Sequence, residues 1–151
     1  MIGSNVYLIF NGNCREAMEF YKNAIGGGEL EIMTFGESPE RDQFPPGTEN
    51  RIMHAFFRSG AMVLMASDNM PGMEHSVGSN FSISLNCEDI QESEKLFAAL
   101  SKGAQKITMP LGETFWAVRF GMLTDKFGVN WMINLGKKME TAQAAGAENR
   151  K

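Results

Sequence analysis

Among 151 residues there are only two cysteines and two histidines, and neither is arranged in a pattern that carries chemistry by itself. Cys14 and Cys87 are too few for a disulfide scaffold, and without a C-x-x-C spacing they define neither a zinc site nor a dithiol redox centre. No apolar run reaches the roughly 20 residues that span a bilayer. The opening Met1-Ile2-Gly3-Ser4-Asn5 has no basic stretch followed by an apolar core, so no leader is expected and a cytoplasmic location is the default. Clustered positive charge is missing as well. Fourteen basic residues are scattered against 18 acidic ones, giving a net charge of −4, which argues against a nucleic-acid partner, since binding there requires several cations on phosphates. The chain has no G-x-S-x-G, no H-E-x-x-H and no Walker-type loop. Gly26-Gly27-Gly28 follows a helical pattern and therefore reads as a helix end and turn, not a phosphate cradle.

What is present is a repeat. Asn13-Cys14-Arg15-Glu16 opens a run with Ala17, Phe20, Tyr21 and Ala24 on one stripe and Gly27 at its end. Seventy-six residues later, Asp89-Ile90-Gln91-Glu92 opens a run with Ser93, Leu96, Phe97 and Leu100, closed by Gly103. A capping side chain, a glutamate three residues on, an i, i+3, i+4, i+7 stripe and a terminal glycine specify a short amphipathic helix each time. With 43% hydrophobic and 21% charged residues, the composition is that of a globular domain. Either half alone would bury only a marginal core, so the two are expected to share one.

Strands are expected at 4–10, 29–36, 51–58 and 61–68, the last two joined across Ser59-Gly60, and again at 80–87, 105–109, 115–122 and 129–135. Helices are expected at 14–25 and 90–101. This gives an α+β chain of two βαβββ modules, about 1–70 and 79–136, forming mixed sheets, with a frayed or weakly helical tail over 137–151. The irregular segments 37–49 and 69–79 have the length of lids, binding loops or linkers.

The segments Tyr7-Leu-Ile-Phe-Asn-Gly-Asn13, Glu16-Ala-Met-Glu-Phe-Tyr-Lys22, Ile52-Met-His-Ala55 and Glu113-Thr-Phe-Trp116, with the long string Phe120 to Asn134, resemble the PhnB-like branch of the glyoxalase/bleomycin-resistance (vicinal oxygen chelate) superfamily. Some of its members carry the label 3-demethylubiquinone methyltransferase. The resemblance covers the chain to about Gly136 and implies paired modules whose curved sheets surround a cavity, commonly in a homodimer. It also implies a divalent metal held by first-strand and last-strand histidines and glutamates. Those positions carry over to Val6, Met65, Ser82 and Met132, none of them a usual ligand for a hard cation. No metal and no other cofactor is therefore expected. The methyltransferase label gains no support either, because no glycine-rich strand-to-helix loop of the nucleotide-binding kind occurs.

His54, central in its strand, and Asp68, ending the strand paired with it, form a second candidate site for a metal or a proton relay. A histidine satisfied within a sheet and an aspartate at a turn is the competing reading. His75 reads as a surface residue, and Cys14 as a small residue at a helix start more than a nucleophile. Alternation along strands groups Val6 with Leu8 and Phe10, Ser82 with Ser84 and Asn86, Met132 with Asn134, and Met65 with Val63 and Ser67. Trp116 and Arg119 are candidates for stacking on or clamping a ligand. The expected function is capture of a small organic molecule in a cavity lined by apolar, thioether, hydroxyl and amide groups, without a metal. The alternative is a metal-dependent isomerase, lyase or dioxygenase working through His54 and Asp68.

Overall fold

A computed structural model describes residues 1–137; the tail expected after Lys137 lies outside the described residues. Backbone contacts separate two compact units, with the boundary between Ser76 and Val77. The first comprises β1 (Val6–Phe10), α1 (Cys14–Ile25), β2 (Glu29–Thr34), β3 (Ile52–Ser59) and β4 (Met62–Asp68). The second comprises β5 (Ile83–Asn86), α2 (Ile90–Leu100), β6 (Lys106–Gly112), β7 (Ala117–Thr124) and β8 (Asn130–Gly136). Each unit is a four-stranded mixed sheet with one helix, ordered β1-β4-β3-β2 and β5-β8-β7-β6. In both, the first and last strands run parallel and the remaining pairs antiparallel. The expected α+β chain of two βαβββ modules is what forms.

The helices start by different means. In α2 the Asp89 carboxylate accepts from the Glu92 amide at 2.7 Å while the Glu92 carboxylate accepts from Glu88 N at 2.7 Å, a local reciprocal cap. Asn13 makes no such bond. Its role falls to Asp68, fifty-four residues from Cys14 in the chain, whose Oδ1 accepts from Gly12 N at 2.8 Å and Cys14 N at 3.0 Å. The buried stripe of α1 is accordingly Cys14, Ala17, Met18 and Tyr21. It is turned by about one residue from the expected stripe, whereas α2 buries Ser93, Leu96 and Leu100 as expected.

The core of each module lies between its helix and one sheet face. In the first it contains Leu8, Phe10, Phe57 and Leu64; in the second, Ile83, Leu123, Trp131 and Ile133. Backbone approaches in that layer are close. A Cβ added to Gly121 of β7 would stand 2.6 Å from the Phe97 ring of α2, so only glycine lets helix and strand meet there. Gly28, at φ +85°, would place a Cβ 2.3 Å from the Arg58 carbonyl oxygen. The β3–β4 hairpin turns through Gly60 and Ala61, one position later than expected, with Ser59 paired to Met62. The β7–β8 turn is pinned by Asp125, which accepts from Phe127 N, Val129 N and the buried Trp131 indole at 2.8 to 3.0 Å.

The segment between β2 and β3 is packed. It contains single 3-10 turns at Phe35–Glu37 and Arg41–Gln43, joined by an edge-to-face contact of Phe35 and Phe44 at 4.8 Å. Its ends are tied by Phe35 N to Arg51 O and Gly36 N to Glu49 O.

Candidate functional site

Residues paired across strands share a sheet face, so register decides what each face carries. In the first module Val6, Leu8 and Phe10 pair with Leu64, Ala66 and Asp68, and Ala66 and Leu64 pair in turn with Ala55 and Phe57. This is the face under α1. The opposite, helix-free face carries Tyr7 paired with Met65, Ile9 paired with Ser67, Phe56 paired with Met65, and His54 paired with Met33. The expectation that Val6, Leu8 and Phe10 accompany Met65 is therefore corrected: the pleat puts Tyr7 and Ile9 beside it. Tyr7 and Ile9 are 46% and 57% exposed although apolar or aromatic. Tyr7 also approaches His54, ring centroids 6.1 Å apart and tilted by 35°.

Asp68 is on the other side of this sheet from His54. Its carboxylate, 5% exposed, accepts from three backbone amides, the third being Ile52 N at 2.9 Å from Oδ2. It ties the start of α1 to the start of β3. The expected His54/Asp68 pair does not form, because adjacent pleat positions send the two side chains to opposite faces. Beside Asp68, Arg51 braces the same corner, bonding Asn69 O at 2.8 and 3.0 Å and Asn11 Oδ1 at 3.2 Å. His75 is half-buried and donates from Nε2 to the Ile9 carbonyl at 2.8 Å on the outer edge of β1, so it is more than a surface residue.

In the second module the expected alternation holds along β5 and β8. Ser84 pairs with Met132 and Asn86 with Asn134. Met132 pairs onward with Met122 and Asn134 with Phe120, and these pair with Met109 and Gly112 of β6. The helix-free face thus has one row of Ser84, Met132, Met122 and Met109 and another of Asn86, Asn134, Phe120 and Gly112. Asn134 Nδ2 donates to Asn86 Oδ1 at 3.0 Å. Trp116, 46% exposed, stands edge-on to Phe120 at 5.4 Å, with Phe115 against it at 4.8 Å.

Arg119 is separated from this group. An irregularity between Ala117 and Arg119 leaves it paired with Leu135, on the same face as Gly121 and under the helix, its guanidinium donating to Val118 O at 2.7 Å. Ser82 lies one residue before β5 and is half-buried. The preceding segment is held by Asn130, whose Nδ2 donates to Gly78 O and Phe81 O at 3.2 and 3.1 Å. Of the ten expected site residues, His54 and Met65 therefore share one helix-free face and Ser84, Asn86, Met132, Asn134 and Trp116 another. Tyr7 and Phe56 join the first face, and Phe120 and Met122 the second. The hairpin register of β3 and β4 is the signal that marks Phe56, since fixing the turn fixes its partner Met65.

The fit to a hard divalent cation is poor. Where the first and last strands of each module lie side by side, the helix-free faces present Tyr7 with Met65, and Ser84 with Met132. Neither a phenol beside a thioether nor a hydroxyl beside a thioether makes a site for such an ion, which prefers carboxylate and other oxygen donors. Among the described residues no three histidine, cysteine, aspartate or glutamate side chains converge. Cys14 is buried, and burial first, then the neighbouring Asp68 carboxylate, push its thiol up to about 12 against a smaller opposing pull from Arg15. It is a protonated core thiol at neutral pH, not a nucleophile. Among the described residues no helix is long and apolar enough to cross a membrane.

Two split βαβββ modules with bare sheet faces define a protein of the glyoxalase/bleomycin-resistance fold. A glyoxylase/bleomycin resistance protein/dioxygenase domain from Frankia sp. EAN1pec superposes with a TM-score of 0.61 over 92% of this chain and 95% of that one, at 12% identity, a likeness of fold alone. The family model described as 3-demethylubiquinone-9 3-methyltransferase matches residues 4–134, and the chain belongs to that family, the PhnB-like branch. It is 38% identical to Protein YjdN of Escherichia coli over 89% of its length and 96% of that protein's. The crystal structure of protein PA1353 from Pseudomonas aeruginosa is 47% identical, with a TM-score of 0.80 over 91% of this chain and 100% of that one. A putative 3-demethylubiquinone-9 3-methyltransferase, PhnB protein, from Bacillus cereus is 29% identical, with a TM-score of 0.74 over 89% of this chain and 100% of that one.

Proposed function

We propose that this chain binds a small organic molecule against the helix-free face of its second sheet, using rings, thioethers, hydroxyls and amides and no metal ion. The observation that carries the reading is the side-chain chemistry of those faces. On the second module's face Met132, Met122 and Phe120 are side chains that adapt to an apolar body, and Ser84, Asn86 and Asn134 are neutral polar groups suited to orienting one end of it. The family's methyltransferase description does not itself assign an activity, since one fold hosts many functions. Neither sheet is of the doubly wound kind, each having a single parallel pair. The enzymatic alternative through His54 and Asp68 loses its geometric basis, because the two side chains do not share a face.

A library of metabolites screened by thermal shift tests the reading, with a saturating ligand at 100 times its Kd expected to add about 2.7 kcal/mol of stability. Elemental analysis of protein purified without chelator is the companion measurement. A stoichiometric metal that disappears in His54→Ala would reject the metal-free reading. The same proposal takes the protein as a cytoplasmic homodimer, and light scattering checks the assembly against the 16.7 kDa chain mass.

A further inference from the structure

We infer that the Asn86–Asn134 amide pair and the neighbouring aromatic row of the second module form a subsite for an uncharged, planar molecule bearing a lactam or secondary amide. This deepens the ligand-binding proposal and rests on it. One hydrogen bond joins the two side chains, from Asn134 Nδ2 to Asn86 Oδ1 at 3.0 Å. It leaves the Asn86 amide donor and the Asn134 carbonyl acceptor as an adjacent pair, with no second partner among the described residues. Reversing both amides exchanges the roles and leaves the same two groups. A donor beside an acceptor is complementary to the N–H and C=O of a lactam, which offers the opposite order in one plane.

The next two positions in the same row accept the rest of such a molecule. Phe120 pairs with Asn134 and Gly112 pairs with Phe120, so the amides lead to an aromatic ring and then to a residue with no side chain. A Cβ on Gly112 would meet nothing within 4 Å, so the space above it is open. Trp116 stands edge-on beside Phe120 at 5.4 Å and supplies a wall. The adjacent row of Met132, Met122 and Met109 is polarizable and uncharged.

Charge selects against an ionic ligand. Arg119 belongs to the opposite face by register. Lys106 pairs with Thr124 at the far end of β7, four residues from Phe120, a separation of roughly 13 Å along a strand. Neither row carries a charged side chain, so the face itself offers an ion no opposite charge.

The probe is 2-quinolone, a fused-ring lactam, titrated into the full chain and followed by nitrogen–proton correlation spectra. Saturable shifts of the Asn86 and Asn134 side-chain amides and of the Trp116 indole are expected. N-methyl-2-quinolone, which keeps the ring and loses the donor, is expected to bind about five- to tenfold more weakly. Asn86→Ala combined with Asn134→Ala removes both partners and should weaken 2-quinolone more than N-methylation does, while N-methyl-2-quinolone, which has only its carbonyl's bond to lose, is weakened less, the spectrum reporting that the variant is folded. Equal affinity for the two probes would overturn the lactam inference while leaving the wider ligand-binding reading standing. No shift in the Asn86, Asn134 or Trp116 signals up to the probe's solubility would also overturn the inference; the wider reading is then decided by the metabolite screen.

Discussion

Replacing Asp68 by asparagine removes one oxygen and a charge from a carboxylate that holds three backbone amides. Oδ1 accepts from Gly12 N and Cys14 N at 2.8 and 3.0 Å, and Oδ2 from Ile52 N at 2.9 Å. If the asparagine carbonyl keeps the two bonds at the helix start, its NH2 group faces the Ile52 N–H, donor against donor, in a site only 5% exposed. A hydrogen bond to a charged group contributes about 1.5–3 kcal/mol and a neutral one about 0.5–1.5. Losing one charged bond and weakening two others gives a cost of about 3–4 kcal/mol, reduced somewhat by relief from burying a charge. Urea unfolding of Asp68→Asn, with the exposed Asp42→Asn as control, reads this directly. With a slope of about 2 kcal/mol per molar, the midpoint should fall by roughly 1.5 M. A fall below about 0.25 M with unchanged slope would refute the claim that this carboxylate clasps the module.

Three further outcomes follow from the packing and the buried thiol. Gly121→Ala should cost about 1–3 kcal/mol by overpacking, and Phe97→Leu in the same chain should recover part of it; unchanged stability would mean that the helix does not rest on that glycine as closely as 2.6 Å. Gly28→Ala should destabilise by more than Gly26→Ala, because both glycines have positive φ but only Gly28 meets a backbone oxygen, at 2.3 Å; equal losses in thermal unfolding would contradict this. The Cys14 thiol is raised from 9.0 to about 12 in the folded chain, so it retains its proton where the unfolded chain's thiol ionises. Its contribution is complete below about pH 9 and is lost as pH rises toward 12. In a Cys87→Ser background, stability should therefore fall more steeply across that interval with Cys14 than with Cys14→Ala. Parallel curves would rule out the shift.

Helix positions were legible because each run carries a period of 3.6 and its own stop signals; the helices form at Cys14–Ile25 and Ile90–Leu100. Face assignment was legible only where a strand alternates. Ser84-Leu85-Asn86 alternates in polarity, and its expected face, with that of Met132 and Asn134 paired to it, agrees with the register. Val6-Tyr7-Leu8-Ile9-Phe10 is apolar throughout, so periodicity gives no parity, and the expectation slipped by one residue. Arg119 was grouped with Trp116 on residue type alone; along β7 it adjoins Phe120, and alternation sends the two to opposite faces. Asp68 was read as a partner for His54 because both residues end or centre paired strands. Its actual work depends on contacts with Gly12 and Cys14, which become neighbours through the parallel pairing of β1 and β4, and with Ile52, brought near by the β3–β4 hairpin. The amide pair of Asn86 and Asn134 is likewise a product of pairing between strands, although both members were among the expected residues.

The two helices, alike in sequence grammar, differ in what their first turns require. The second helix carries its own starter, Asp89 and Glu92, within its own first turn. The first borrows one from the last strand of its module, so its amino end is secured only after the chain has doubled back through three strands. The duplicated halves are thus unequal in autonomy: one can begin its helix early, and the other must wait for its sheet.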